Sequence, residues 1–210
     1  MAQTATISDK TIARLSLYRR LLQQRLAEGA QNVFSHELAR MSGNSAALVR
    51  RDLMSVGGAG SPTKGYDAHG LAEAIGVFLD APEGQNAALV GIGNLGRALL
   101  AYFAGKRPRL AVTAAFDTDP RKTDRVIHGC RCYPLAEMEA RIAEHGVDLA
   151  VLATPAGPAQ ETADRLVRAG VHGILNFAPV RLRAPAGVYV EDIDVAMALE
   201  KVAFFARQRG

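Results

Sequence analysis

The chain has 210 residues, 49% of them hydrophobic and 22% charged, enough for one or two domains with a substantial core. Two cysteines exclude a disulfide framework, and no run of about 18 apolar residues is available to cross a bilayer. The net charge of +4 is lopsided: residues 1–66 hold nine Lys/Arg against four Asp/Glu (+5), and the remaining 144 hold sixteen against seventeen (−1). Such asymmetry fits a nucleic-acid-binding module joined to a near-neutral one, although a solvated helical face would give the same balance. Met1 to Arg14 mixes Thr, Ser, Asp9 and Lys10 without the apolar centre of a signal peptide, so a cytoplasmic location is expected.

From Thr11 to Glu28, apolar residues at Ile12, Leu15, Leu17, Tyr18, Leu21, Leu22 and Leu26 follow a helical spacing, and Gly29 ends it. Ser35 is expected to cap a second helix, His36 to Met41, and Ser42-Gly43-Asn44 forms a turn. Ser45 then caps a third helix through Leu48, Val49, Leu53 and Met54. Two short helices around a glycine-containing turn make a helix-turn-helix, whose second helix enters the major groove. Ser45, Ala46 and Ala47 would face or flank the bases, and Arg50 and Arg51 would reach phosphate or guanine. Val56 to Tyr66 is rich in glycine with one basic residue, Lys64; it reads equally as a wing or as a flexible linker. Asp67 to Leu79 forms a connecting helix, and Ala81-Pro82-Glu83-Gly84 marks a boundary.

Beyond the boundary, Ala88-Leu-Val90 runs into Gly91-Ile-Gly93-Asn94-Leu95-Gly96 and then a helical pattern. A strand, a tight turn and a helix N-terminus in that order suit a nucleotide pyrophosphate. Gly91 makes the turn, Gly93 admits the ligand to the backbone, and Gly96 lets helix and strand pack closely. Arg109 to Phe116 reads as a second strand ending at Asp117, about 20 residues past the glycines, where a carboxylate takes ribose hydroxyls. That acid favours NAD over NADP, with Arg121 and Lys122 placed to soften the preference. Strands at 131–133, 148–153, 172–177 and 188–190 alternate with helices at 135–144, 157–169 and 193–207, the pattern of a doubly wound parallel sheet.

His128, Cys130 and Cys132 alternate, a spacing that calls for a check of metal ligation. In an extended strand the outer two stand about 13 Å apart at roughly 3.3 Å per residue, too far for one ion. A half-buried strand is the expected reading, and no metal site is assigned.

The chain resembles the Rex family of redox-sensing transcriptional repressors over nearly its whole length. The segments that carry the likeness are Ala13-Arg-Leu-Ser-Leu-Tyr-Arg-Arg20, Val49-Arg-Arg-Asp-Leu53, Gly65-Tyr66, Val90-Gly-Ile-Gly-Asn-Leu-Gly96, Phe116-Asp-Thr-Asp-Pro120, Ala169-Gly-Val-His-Gly-Ile-Leu-Asn-Phe-Ala-Pro179 and Asp192-Ile-Asp194. The resemblance implies an α/β protein with a winged helix-turn-helix over 1–80, a Rossmann domain over 85–192, and a C-terminal helix over 193–210 exchanged between the subunits of a homodimer. It implies a repressor, not an enzyme, that binds double-stranded operator DNA and releases it when NADH rises, with NAD+ bound more weakly. The cofactor set becomes Gly91, Gly93, Asn94, Leu95, Gly96, Asp117, Thr154, Pro155 and Tyr102, with Asp194 and Val195 from the exchanged helix. Ser45, Ala46, Arg50, Arg51 and Lys64 fall on DNA, and Arg20, Tyr102 and Asp194 form a switch. The wing departs from the family pattern: Val56 stands where an aromatic is usual, and Pro62-Thr63 where Arg-Gly is usual. Three other readings stay open on the residues alone. They are an NAD-dependent dehydrogenase, a coenzyme A-binding Rossmann protein, and a plain repressor with a vestigial nucleotide site. A dehydrogenase would need a substrate domain, yet only a helix follows the last strand; His128, His145 and His172 read as ordinary surface or strand residues.

Overall fold

A computed structural model describes residues 7–105 and 109–208. The first six residues of the expected N-terminal segment, the stretch 106–108, and the last two of the expected C-terminal segment lie outside the described residues. The chain divides into two compact units between Pro82 and Glu83.

In the first unit, α1 (Asp9–Ala27) is capped by the Ser8 hydroxyl, and it buries Leu15, Tyr18 and Leu22. Strand β1 (Asn32–Val33) leads into α2 (Ser35–Ser42) and α3 (Ala46–Met54), with Gly43 in the left-handed conformation between the two helices. Ser35 does not cap α2. Phe34 takes the cap position, and its N–H donates to the Glu37 carboxylate at 2.7 Å, which frees the Ser35 hydroxyl for Arg50 at 3.3 Å. Ser45 caps α3 as expected, accepting from the Leu48 N–H at 3.2 Å. Strand β2 (Tyr66–Asp67) pairs antiparallel with β1, and α4 (Ala68–Leu79) starts from an Asp67 cap. One core joins all four helices through Leu15, Leu22, Leu38, Val49, Leu53, Leu71 and Ile75.

The glycine-rich stretch before β2 is a wing, not a linker. Ser61 and Gly65 exchange backbone hydrogen bonds of 2.8 Å in each direction, which leaves Pro62, Thr63 and Lys64 as the tip. Gly60 lies under the Tyr66 ring, where a Cβ would come within 2.6 Å, so packing shapes this stretch.

The second unit is a seven-stranded sheet of order β5-β6-β4-β3-β7-β8-β9. Its strands are β3 (Gln85–Val90), β4 (Leu110–Asp117), β5 (Arg125–Ile127), β6 (Cys130–Pro134), β7 (Val147–Leu152), β8 (Gly173–Asn176) and β9 (Tyr189–Asp192). All neighbours are parallel except β5, which forms an antiparallel hairpin with β6. The sheet is therefore mixed at that edge. His128 and Gly129 turn the hairpin with φ of +48° and +81°, the backbone that a two-residue loop demands. His128 thus belongs to a turn, not to the extended strand expected from its spacing with the cysteines.

Helices α5 (Asn94–Phe103), α6 (Met138–Glu144, after a 3₁₀ turn at Leu135–Glu137) and α7 (Ala156–Arg168) cover the sheet. The main core lies under α6 and α7, around Phe116, Met138, Ile142 and Leu166. A second lies under α5, around Leu89, Leu100, Cys130 and Cys132. The last helix, α8 (Val195–Arg207), buries none of its residues within the chain.

One ion pair fixes α3. Arg14 grips Asp52 with two bonds, Nε to Oδ2 at 2.6 Å and Nη2 to Oδ1 at 2.8 Å, and the Tyr18 hydroxyl adds a third at 3.3 Å. Asp52 is 3% exposed. Burial and this carboxylate together push the Tyr18 hydroxyl up to about 12. Removing one partner leaves a poorly solvated charge, so Asp52→Ala should cost the first unit about 3 kcal/mol. Urea unfolding followed by a probe in that unit checks this; an unchanged midpoint would show that the fork contributes little.

Candidate functional site

The three glycines of the loop after β3 have three different geometries. Gly91 has φ +97°, and a Cβ there would lie 2.5 Å from the Ala153 carbonyl oxygen, so the chain turns tightly against the end of β7. Gly96 is buried, and any Cβ would collide with the Gly91 carbonyl. A Cβ on Gly93 would meet nothing within 4 Å. The backbone at Gly93 is thus bare toward open space, while its flanking glycines are pressed against protein.

Gly93, Asn94 and Leu95 are exposed at the start of α5, and no side chain caps that helix. Its first N–H groups and the positive end of its dipole therefore point to the loop unopposed. Helix α7 likewise begins at Pro155 without a side-chain cap. Between them, Thr154 has a buried hydroxyl with no hydrogen-bond partner. The order β4-β3-β7 makes this the place where the chain's crossovers diverge to opposite sides, the usual crevice for a nucleotide. A bare backbone, two uncapped helix starts and an orphaned hydroxyl fit an anionic, hydrogen-bonding group such as a pyrophosphate.

Asp117 ends β4 beside this loop, buried. Its Oδ2 accepts from the Ile92 N–H at 2.7 Å and from Lys122 Nζ at 3.1 Å; its Oδ1 accepts from the Asp119 N–H at 2.8 Å. Burial raises its pKa, but the bonds from Asp119, Ile92 and Lys122 outweigh it and hold the carboxyl below its ordinary range. The residue expected to meet a ribose therefore also ties the glycine loop to β4. Sequence reading missed that second part; a buried acid one strand away from a loop N–H has no spacing signature.

The remaining expected residues are dispersed. Tyr102 is exposed near the far end of α5, about 12 Å along the helix from Asn94 at 1.5 Å per residue. Asp194 follows β9 at the same sheet edge as the glycine loop, about 14 Å across at roughly 4.8 Å per strand. Its carboxylate caps α8, accepting from the Met197 N–H at 2.8 Å, and Val195 is exposed beside it. Because α5 runs back from the loop, Tyr102 lies toward one edge of the sheet and Asp194 at the other. Arg20 is exposed on α1 in the first unit.

On α3, Ala47, Arg50, Arg51 and Met54 are exposed at i, i+3, i+4 and i+7, so they share one face. Ser45 is exposed at the helix start, whereas Ala46 packs partly against the core. Met54, expected among the apolar members of this helix, is 71% exposed. The spacing from Arg50 and Arg51 is the signal that places it on the outer face. Lys64 is exposed at the wing tip, and Val56 packs against the first unit's core.

Among the described residues, no group of three His, Cys, Asp or Glu is placed to hold a metal. Cys130 and Cys132 are buried and unpaired under α5. Burial, with the neighbouring Cys132, raises Cys130 from 9.0 to about 11; burial, with Asp117 adding to it, does the same for Cys132.

Comparisons with known proteins follow this division. The "CoA binding domain" family model matches residues 83–180, and the "Putative DNA-binding protein N-terminus" model matches residues 6–53. The chain is 40% identical to the redox-sensing transcriptional repressor Rex of Rhodopirellula baltica over 205 residues, 98% of this chain and 86% of that protein. It is also 40% identical to Rex of Shouchella clausii, over 96% of this chain and 95% of that one. Among solved structures, RSP, a Rex-family repressor, in complex with β-NAD+ and operator DNA superposes with a TM-score of 0.89 at 30% identity, covering 98% of this chain and 95% of that one. RSP in complex with β-NADH gives a TM-score of 0.86.

Glycine substitutions and thiol chemistry test this geometry. Gly93→Ala should leave the melting temperature unchanged and weaken nucleotide binding at least about tenfold, because the added methyl stands in the approach path. Gly96→Ala should instead destabilise the second unit by about 2 kcal/mol or more. Equal effects of the two on stability would overturn the assignment. The thiols should react slowly with a disulfide reagent at pH 8 in the folded protein. Because folding raises their pKa, their stabilising contribution is complete below pH 9 and is lost as the pH rises from 9 to 11. Stability that is flat across that window would contradict it.

Proposed function

Because the chain belongs to the Rex family of redox-sensing transcriptional repressors, we propose that it binds operator DNA and releases it when NADH occupies the second unit. The observation that carries this reading is one chain joining an arginine stripe on α3 to a glycine loop open at Gly93. Arg50 and Arg51 take guanine or phosphate, with Ala47 and Met54 supplying small and apolar contact to bases and Lys64 touching the backbone from the wing. The N–H groups at Gly93, Asn94, Leu95 and Gly96 receive the pyrophosphate, with Thr154 and Pro155 closing the other side. Asp117 takes an adenine ribose hydroxyl. It has spent three acceptor positions on Ile92, Lys122 and Asp119, and a carboxylate offers about four. The dinucleotide, when bound, supplies a nicotinamide whose charge depends on its oxidation state. Burying the cationic, oxidised ring unpaired against the apolar Val195 costs more than burying the neutral, reduced ring.

The working form is a homodimer acting in the cytoplasm. The α8 surface presents Val195, Met197, Leu199, Val202, Phe204 and Phe205 to solvent, far more apolar surface than a lone helix keeps in water. A second copy covers that face and brings the partner subunit's Asp194 toward Tyr102 and Arg20. Two recognition helices must stand about 34 Å apart to read two half-sites, so any rearrangement of the dimer loses one of them. NADH drives that change only by as much as it prefers the rearranged form, typically about 1–3 kcal/mol, or 5- to 150-fold.

Fluorescence anisotropy on duplex DNA from upstream of the gene itself, at fixed salt, tests the reading. Binding should be tight alone, weakened at least about fivefold by NADH, and little changed by NAD+. Binding indifferent to both nucleotides would leave a repressor without a sensor, and steady turnover of substrate would point to an enzyme. Asp194→Ala should bind DNA normally and lose most of the response to NADH; a full response in that variant would remove Asp194 from the switch.

A further inference from the structure

Asn176 is the last residue of β8 and is 1% exposed. Its side chain makes three short hydrogen bonds. Nδ2 donates to the Val180 carbonyl at 2.8 Å and to Asp192 Oδ1 at 2.7 Å, and Oδ1 accepts from the Ala178 N–H at 3.0 Å. Its own carbonyl accepts from the Ile193 N–H at 2.8 Å. One buried amide thus fixes both the loop that leaves β8 and the segment that leaves β9. A buried polar side chain is costly unless it is hydrogen-bonded, and one bonded to several partners holds them in one arrangement.

Those partners lie between the glycine loop and α8. The Ala153 N–H donates to the Val90 carbonyl at 2.8 Å, at the strand end that becomes Gly91. One residue earlier, the Leu152 carbonyl accepts from the Phe177 N–H at 2.8 Å, beside Asn176. Asn176 stands opposite Asp192 in the sheet register, and two residues later Asp194 caps α8. Hydrogen bonds and the peptide links between them therefore run from the end of β3, through Asn176, to the start of α8.

We infer that Asn176 is a positioning residue for the NADH response, setting Asp194 and the root of α8 at a fixed place relative to the nucleotide pocket. The inference rests on the proposed function. It adds that this one amide, whose bonds are all made within the chain, links occupancy of the pocket to the helix that leaves the sheet. In Asn176→Asp, two carboxylates face each other where 2.7 Å now separates amide from acid, and the bond to Val180 is lost. Asp192→Ala removes only the acceptor and leaves the bonds to Ala178 and Val180 in place.

The test measures operator affinity with and without NADH, NADH affinity of the free protein, and melting temperature, for the full-length dimer. Asn176→Asp and Asp192→Ala should each keep operator affinity without NADH within about threefold of wild type, and reduce the NADH-induced weakening to below about threefold. The reciprocal double variant N176D/D192N, which exchanges amide and carboxylate, should regain a large part of the response. A full NADH response in Asp192→Ala overturns the inference. So does parallel loss of stability, operator affinity and NADH affinity in Asn176→Asp with no recovery in the double variant. Wild-type protein indifferent to NADH would overturn the proposed function, and this inference with it, before any variant is compared.

Discussion

Helix α5 can reach the end of β3 only because Gly96 has no side chain to collide with the Gly91 carbonyl. That approach brings the helix's unpaired N–H groups over the turn, and the turn itself must then take the left-handed backbone of Gly91 against Ala153. Ile92, carried between them, meets Asp117 from the next strand, and β7 delivers Thr154 from the other side. Most of the pocket's polar groups are main-chain atoms, so their positions are set by backbone packing and not by side-chain rotamers. A pocket built this way is rigid before any ligand enters, which lowers the ordering cost of binding.

The first unit solves a different problem with a different device. Its described part runs from Ile7 through the four helices, and a domain of that size buries a smaller fraction of its surface than a large one. The Arg14–Asp52 fork adds little by area, but it allows one seating of α3 on α1. Arg50 and Arg51 precede Asp52 directly in the chain, so the buried acid also orients the outward arginines. Specificity of arrangement is the best-attested use of a buried ion pair.

Much of this is legible in the sequence. The apolar spacing of α1 and α4, the cap at Ser45, and the three separate jobs of the glycines all have local signatures. What stays hidden depends on residues distant in sequence or on backbone conformation. The wing cannot be told from a linker by its composition, because Tyr66 over Gly60 is a packing fact, not a pattern. His128 reads as extended because alternation is counted through a turn that positive φ values create. Ser35 reads as a cap because its type is right, yet Glu37 satisfies the N–H at Phe34. Asp117's hold on Ile92 and Asn176's bond to Asp192 join residues 25 and 16 positions apart and carry no period.

The cysteines set a limit on what this protein can perceive. Burial keeps both thiols protonated well past neutral pH, and oxidants such as peroxide react with the thiolate. Both sulfurs also lie under α5, away from solvent. The two thiols are therefore core side chains first, and a burst of peroxide finds little thiolate to attack at either.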